Sequence, residues 1–173
     1  MLGFFRADED AFVKELMSSN INIDKLKKYI ANGVNINDVD EKGRNYLFFF
    51  AAKKNFNAIK VLISLGIDMY KEDKLGKTVL SEACEKYDFM MIRFLLDNGF
   101  DGNRKNSAGR TILQDCVLLG NDKVFQILLN YNLDFDIKDS DGKNVLFDAI
   151  ENGNFETLKK VIDNVKDINA VDK

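Results

Sequence analysis

Along most of the chain, apolar residues recur three and four positions apart in short bursts, as at Leu80, Ala83 and Cys84 and then at Ile92, Leu95 and Leu96. That spacing places them on one face of a helix. Each burst spans about two turns, too short for an isolated helix to persist in water, so every apolar face must be buried against a neighbour. The bursts come in pairs, and the pairs repeat. Gly43, Gly76, Gly109 and Gly142 lie 33 residues apart, with Leu47, Leu80, Leu113 and Leu146 four positions after and Asp40, Asp73, Asn106 and Asp139 three before. One period earlier, Gly33 aligns with Gly66 and Gly99. This gapless register predicts a single domain of five units, 7–39, 40–72, 73–105, 106–138 and 139–173, behind a short apolar extension at 1–6.

Within a unit the pattern specifies ends as well as faces. Asn45, Thr78, Thr111 and Asn144 stand where a first helix begins and are expected to cap it. Gly33, Gly66 and Gly99 follow the second helix, where a left-handed residue is wanted, and Asn132 takes that place in the fourth unit. The buried face of the first helix falls four, seven and eight residues after the glycine. One core column therefore reads Met17, Phe50, Ala83, Cys116 and Ala149. Phe50 would overpack a site sized for alanine unless Ala83 makes room for it. Positions six, nine and ten after the glycine share the other face. They are Leu16, Ser19 and Asn20; Phe49, Ala52 and Lys53; Glu82, Glu85 and Lys86; Asp115, Leu118 and Leu119; Asp148, Glu151 and Asn152. The run "YLFFFAA" at 46–52 thus divides its three rings: Phe50 in the core, Phe48 partly buried at the edge and Phe49 outward.

The pattern resembles the ankyrin repeat, whose period is also 33. "GKTVLSEAC" with "FLLDNGFDGN", and "GRTILQDCV" with "ILLNYNLDF", stand where that family has T-P-L-H-x-A-A and G-A-D-V-N. The motif proline is replaced by Tyr46, Val79, Ile112 and Val145, the motif histidine by Phe48, Ser81, Gln114 and Phe147, and the chain has no proline at all. The resemblance implies an all-α solenoid of helix-turn-helix units joined by short finger turns. It also implies a noncatalytic module that binds another protein through a concave groove and the finger tips. In the groove, Phe49, Leu118 and Leu119 would be apolar anchors, among Lys53, Glu82, Glu85, Lys86, Asp115, Asp148 and Glu151. The carboxylates form a one-sided strip suited to a basic partner or simply a solvated helix face. At the finger tips Arg44, Lys77, Arg110 and Lys143 form a basic row. An adaptor is the first reading; an inhibitor or immunity factor masking a toxin or enzyme, and a carrier delivering haem or metal to a client enzyme, are the alternatives.

Composition narrows the chemistry. The net charge is −3, so nothing draws the chain generally to nucleic acid or an acidic membrane. Without a histidine, no imidazole can serve as base or metal ligand, and no Gly-rich phosphate loop is present. No cofactor, metal or catalytic residue is expected. Cys84 and Cys116 are too far apart for a CxxC site and read as small buried hydrophobes. Tyr46 and Tyr70, near turns, are the accessible phenols a haem carrier would use. No apolar run is long enough for a signal peptide or membrane span, and the expectation is a cytoplasmic monomer. Polar Lys14 and Lys160, on apolar columns, mark the first and last units as caps, although "VDK" at 171–173 stands where another finger would begin.

Overall fold

The computed structural model describes residues 7–166; the expected extension at 1–6 and residues 167–173 lie outside it. Among the described residues there are ten α-helices and no strand: α1 (Ala7–Leu16), α2 (Ile23–Ala31), α3 (Tyr46–Ala52), α4 (Phe56–Ser64), α5 (Val79–Glu85), α6 (Phe89–Asp97), α7 (Ile112–Leu118), α8 (Asp122–Leu128), α9 (Val145–Asn152) and α10 (Phe155–Ile162). Consecutive helices pack in pairs, α1 with α2, α3 with α4, α7 with α8 and α9 with α10. The chain forms two compact units, one up to Val79 and the other from Leu80 onward. In the first, the Phe12 and Tyr46 rings meet at 5.6 Å. In the second, α7 packs on both α8 and α9, and α6 packs on α8.

Helices this short depend on their ends. Asn45 and Asn144 accept the N–H of Leu47 and Leu146, and Thr111 closes a capping box with Gln114. A second column, Asn22, Asn55, Asp88, Asn121 and Asn154, does the same for the second helices, again 33 residues apart. Each side-chain oxygen accepts the N–H three residues on, at Lys25, Ala58, Met91, Val124 and Thr157. Some of these amides also tie one repeat to the one before it: Asn121 Nδ2 donates to the Cys84 carbonyl at 3.0 Å and Asn154 Nδ2 to Asp122 Oδ2 at 2.8 Å. Asn121→Ala removes the cap and one of the two hydrogen bonds to the buried Cys84 carbonyl, which keeps the Tyr87 N–H. It is expected to cost about 2 kcal/mol, measured as a lower urea midpoint at unchanged slope.

The link between first and second helices carries a left-handed column: Lys54 (φ 54°), Tyr87 (φ 54°), Gly120 (φ 66°) and Gly153 (φ 74°). A side chain there is strained, so Lys54→Gly should stabilise the protein by about 0.5–1 kcal/mol despite the added freedom of the unfolded chain. A rise in thermal midpoint checks it. Gly33, Gly66 and Gly99 are left-handed after the second helices, as expected. Asn132 is not: among the described residues the only non-glycines at positive φ are Lys54 and Tyr87. Here α8 stops at Leu128, and the chain leaves it through Asn130 and Tyr131, which donate to the Ile127 and Leu128 carbonyls. Ending the helix early avoids placing a β-carbon in the left-handed region.

The first helix breaks the register. Phe12, Val13 and Leu16 are buried, 34 rather than 33 residues before Tyr46, Leu47 and Phe50. Leu16, expected to face outward, is fully buried, and Met17, expected in the core, is 50% exposed. In strict register Lys14 would occupy the site of Leu47, and burying an unpaired ammonium is far costlier than a one-residue shift. The shift puts Val13 there and leaves Lys14 exposed. Phe50 is fully buried as expected, but Phe48 is buried too, at 3% exposure, rather than sitting at the edge. At the other end, Lys160 donates to Gln126 Oε1 at 2.7 Å. Ile150 is 60% exposed on the column where Cys84 and Val117 are buried.

Candidate functional site

The fingers are built by one residue each. Asp40, Asp73, Asn106 and Asp139 accept two backbone N–H groups on Oδ1, from the residues two and four positions on, at 2.8–3.0 Å. Their carbonyls take the N–H of Gly43, Gly76, Gly109 and Gly142, which lie at φ between 74° and 85°. At Gly109 the constraint is double, because a β-carbon would stand 2.2 Å from Ser140 Oγ.

Two of the cations expected at the tips turn back onto the protein. Arg44 holds its own finger's Asp40, with Nε and Nη2 at 3.0 and 2.8 Å from Oδ2. Arg110 spans three carboxylates: Nε to Asp115 Oδ1 at 2.7 Å, Nη2 to Asp148 Oδ1 at 2.8 Å and Nη1 to Asp139 Oδ2 at 3.4 Å. Lys77 and Lys143 are half-buried. The basic row is therefore not four equivalent charges offered to a partner.

The acidic strip changes with it. Asp115 is half-buried, its second oxygen taken by Asn106 Nδ2 at 3.1 Å. Asp148, expected to face solvent, is only 4% exposed. Burial pushes its carboxyl up to about 6, against the lowering effect of Arg110 and with Asp139 and Asp115 adding repulsion. Asp148 Oδ2 has no hydrogen-bond partner among the described residues, nor does Asn144 Nδ2. The corresponding amide of Asn45 donates to the Asp68 carbonyl at 2.8 Å. Glu82 pairs with Lys86, while Glu85 and Glu151 are exposed. Gln114, in the motif histidine's place, is buried and donates to the Lys143 carbonyl at 2.9 Å, binding one finger to the next helix start.

Beside these charges, the outer faces of the first helices carry three large apolar side chains, Phe49, Leu118 and Leu119. Phe49 is half-buried, edge-on to Phe50 at 5.0 Å, with Lys53 Nζ 5.0 Å above its ring. In the second compact unit, Leu118 is half-buried and Leu119 is 70% exposed. They flank a pocket of about 170 Å³ between α5 and α7, lined also by Ile112, Cys84 and Cys116, with Ser81, Asn121 and the carboxylates of Glu85 and Asp115. Both cysteines are buried and unpaired as disulfides. Cys116 Sγ donates to the Asn121 carbonyl at 3.3 Å. Burial pushes the Cys84 thiol far up and that of Cys116 up to about 12, so each enters the pocket wall as a neutral thiol. Among the described residues no three His, Cys, Asp or Glu side chains gather to hold a metal. Tyr46, expected to be an accessible phenol, is instead buried at 3% exposure, which removes it as a haem ligand.

A family model of ankyrin repeats, built on three copies of the repeat, matches residues 15–106 and again residues 88–172. The chain belongs to the ankyrin repeat family. No curated protein matches the sequence. Ankyrin repeats are generally protein–protein interaction modules, and the ten helices here are the helix pairs of such repeats. Among the described residues no helix is long and apolar enough to cross a membrane. Within this ankyrin chain all four finger cations are half-buried, and the two arginines are bonded to carboxylates of their own chain. The N-cap column of the second helices and the left-handed column between helices escaped the sequence reading. Both were legible in the same 33-residue alignment, as Asn/Asp at 22, 55, 88, 121 and 154 and as Gly120 with Gly153.

Proposed function

We propose that this ankyrin chain is a noncatalytic cytoplasmic adaptor that binds another protein through the outer faces of its first helices. The observation that carries the reading is Leu119, 70% exposed beside half-buried Leu118 at the mouth of the α5/α7 pocket. A large apolar side chain held in water next to a concavity is typical of a surface that becomes covered. Glu85, Lys86 and Glu151 supply orienting charge around it, and Phe49 with Lys53 offers a separate aromatic contact in the first compact unit. Arg44 and Arg110 contribute less, because a partner would have to displace the carboxylates they already hold.

The test is affinity capture from the lysate of the organism the protein comes from, using the tagged wild type beside Leu119→Glu and Phe49→Ser. Leu119→Glu should fold normally and lose the captured protein. Phe49→Ser should cost about 1–2 kcal/mol in stability, since its ring is half packed. A partner retained by both folded variants would move the site off these helix faces and overturn the reading.

A further inference from the structure

The α5/α7 pocket has a size and a field that specify its occupant, and the inference rests on the protein-binding reading above. Its volume, about 170 Å³, is close to the roughly 150 Å³ apolar cavity known to accept a benzene ring. The walls contributed by Ile112, Leu118 and Leu119 offer no strong donor or acceptor side chain. The buried thiols of Cys84 and Cys116 are soft, weakly polar surfaces that pack well against aliphatic or aromatic groups. One bulky apolar side chain fills the part of this space walled by the leucines, Ile112 and the thiols, while Glu85 and Asp115 on the remaining wall offer acceptors that suit a cationic neighbour.

The surroundings are anionic. Glu85 stands exposed on the rim and Glu82 lies one turn earlier on the same helix, paired with Lys86. Asp115 lines the pocket, and its charge is shared with Arg110, which also serves Asp139 and Asp148. Apart from burial, the influences on the two thiols come from Cys116, Glu85 and Asp115 on Cys84, and from Asp122 and Asp115 on Cys116. All of them disfavour negative charge. An anionic partner segment would be repelled, and a cation beside the apolar group would be attracted.

We infer that the pocket takes a peptide segment presenting one Phe- or Leu-sized side chain, with a Lys or Arg within a helical turn of it directed at Glu85. The size selects the apolar residue, and the charge selects its neighbour.

The experiment is selection of a random displayed-peptide library on the full-length protein. The affinities of the recovered peptides are then measured by fluorescence anisotropy for the wild type, Leu119→Glu and Glu85→Lys, with folding of each variant checked by circular dichroism. The expected result is peptides pairing a large apolar residue with Lys or Arg, bound about tenfold more weakly by Leu119→Glu. Repeating the selection on Glu85→Lys should exchange the basic flank for Asp or Glu. Peptides weakened by Leu119→Glu but indifferent to Glu85→Lys overturn the charge assignment. Peptides bound equally by all three proteins overturn the pocket while leaving protein binding in place, and a library with no binder overturns both. Self-association in the ultracentrifuge that Leu119→Glu abolishes would make the occupant a second copy of this chain, contrary to the inference.

Discussion

Arg110→Leu should lower the stability at neutral pH by about 3–5 kcal/mol, the largest effect expected of any single exposed-face substitution in this protein. The guanidinium is the common partner of Asp115, Asp139 and Asp148. Removing it leaves Asp148, 4% exposed, as a buried carboxylate facing two like charges. The cost comes from that uncompensated charge more than from the lost bonds. It should therefore shrink as the pH falls and the carboxylates take up protons. Urea titrations of wild type and variant at pH 4 and pH 7 check both statements. A penalty equal at the two values would show that Arg110 acts by packing its methylenes rather than by neutralising the cluster.

Asp148→Asn tests the same cluster from the opposite side. The wild-type carboxyl titrates near 6 rather than at its ordinary 3.8, because burial disfavours the charged form more than Arg110 favours it. A folded-state value above the unfolded one means that the folded protein binds the proton more tightly. The resulting stabilisation is fully present below about pH 4 and is lost as the pH rises through 6. A shift of about two units corresponds to roughly 3 kcal/mol at most. Asparagine keeps an oxygen for Arg110 and cannot titrate. The variant should flatten stability between pH 4 and 7 and equal or exceed the wild type at pH 7, read from chemical denaturation across that range. An unchanged slope would place the titration on another group.

Much of the architecture was legible because the devices that make it are local. A helix start needs one Asn, Asp or Thr oxygen within three residues of a free N–H, as at Asn45, Thr111 and Asn144. A finger needs one carboxylate or amide oxygen reaching two N–H groups up to four residues away, followed by a glycine at positive φ. Such requirements recur at fixed offsets, so a period of 33 displays them in columns. The Asn22 to Asn154 column follows the same logic and stands in the same alignment, among its polar rather than its apolar positions. The first repeat departs from the period for a different reason: desolvating Lys14 would cost more than losing register, and the chain resolves that conflict by shifting one residue.

The binding surface was less legible. Leu118 and Leu119 flank a pocket, but Asp115 and Asp148, on the same helix face by spacing, are drawn inward to Arg110. Their sequence separations from it are 5 and 38 residues. No periodicity argument along a single helix weighs a partner on another repeat.

The family, the all-helical repeat and most of its caps and turns can be read along the chain, because backbone hydrogen bonds and burial of an apolar face depend on residues a few positions apart. Which charges are paired internally and which apolar side chains stay in water emerges only once the repeats are packed together. Those outcomes depend on which cation folds across the gap between neighbouring repeats, and on how much solvent the next helix leaves behind.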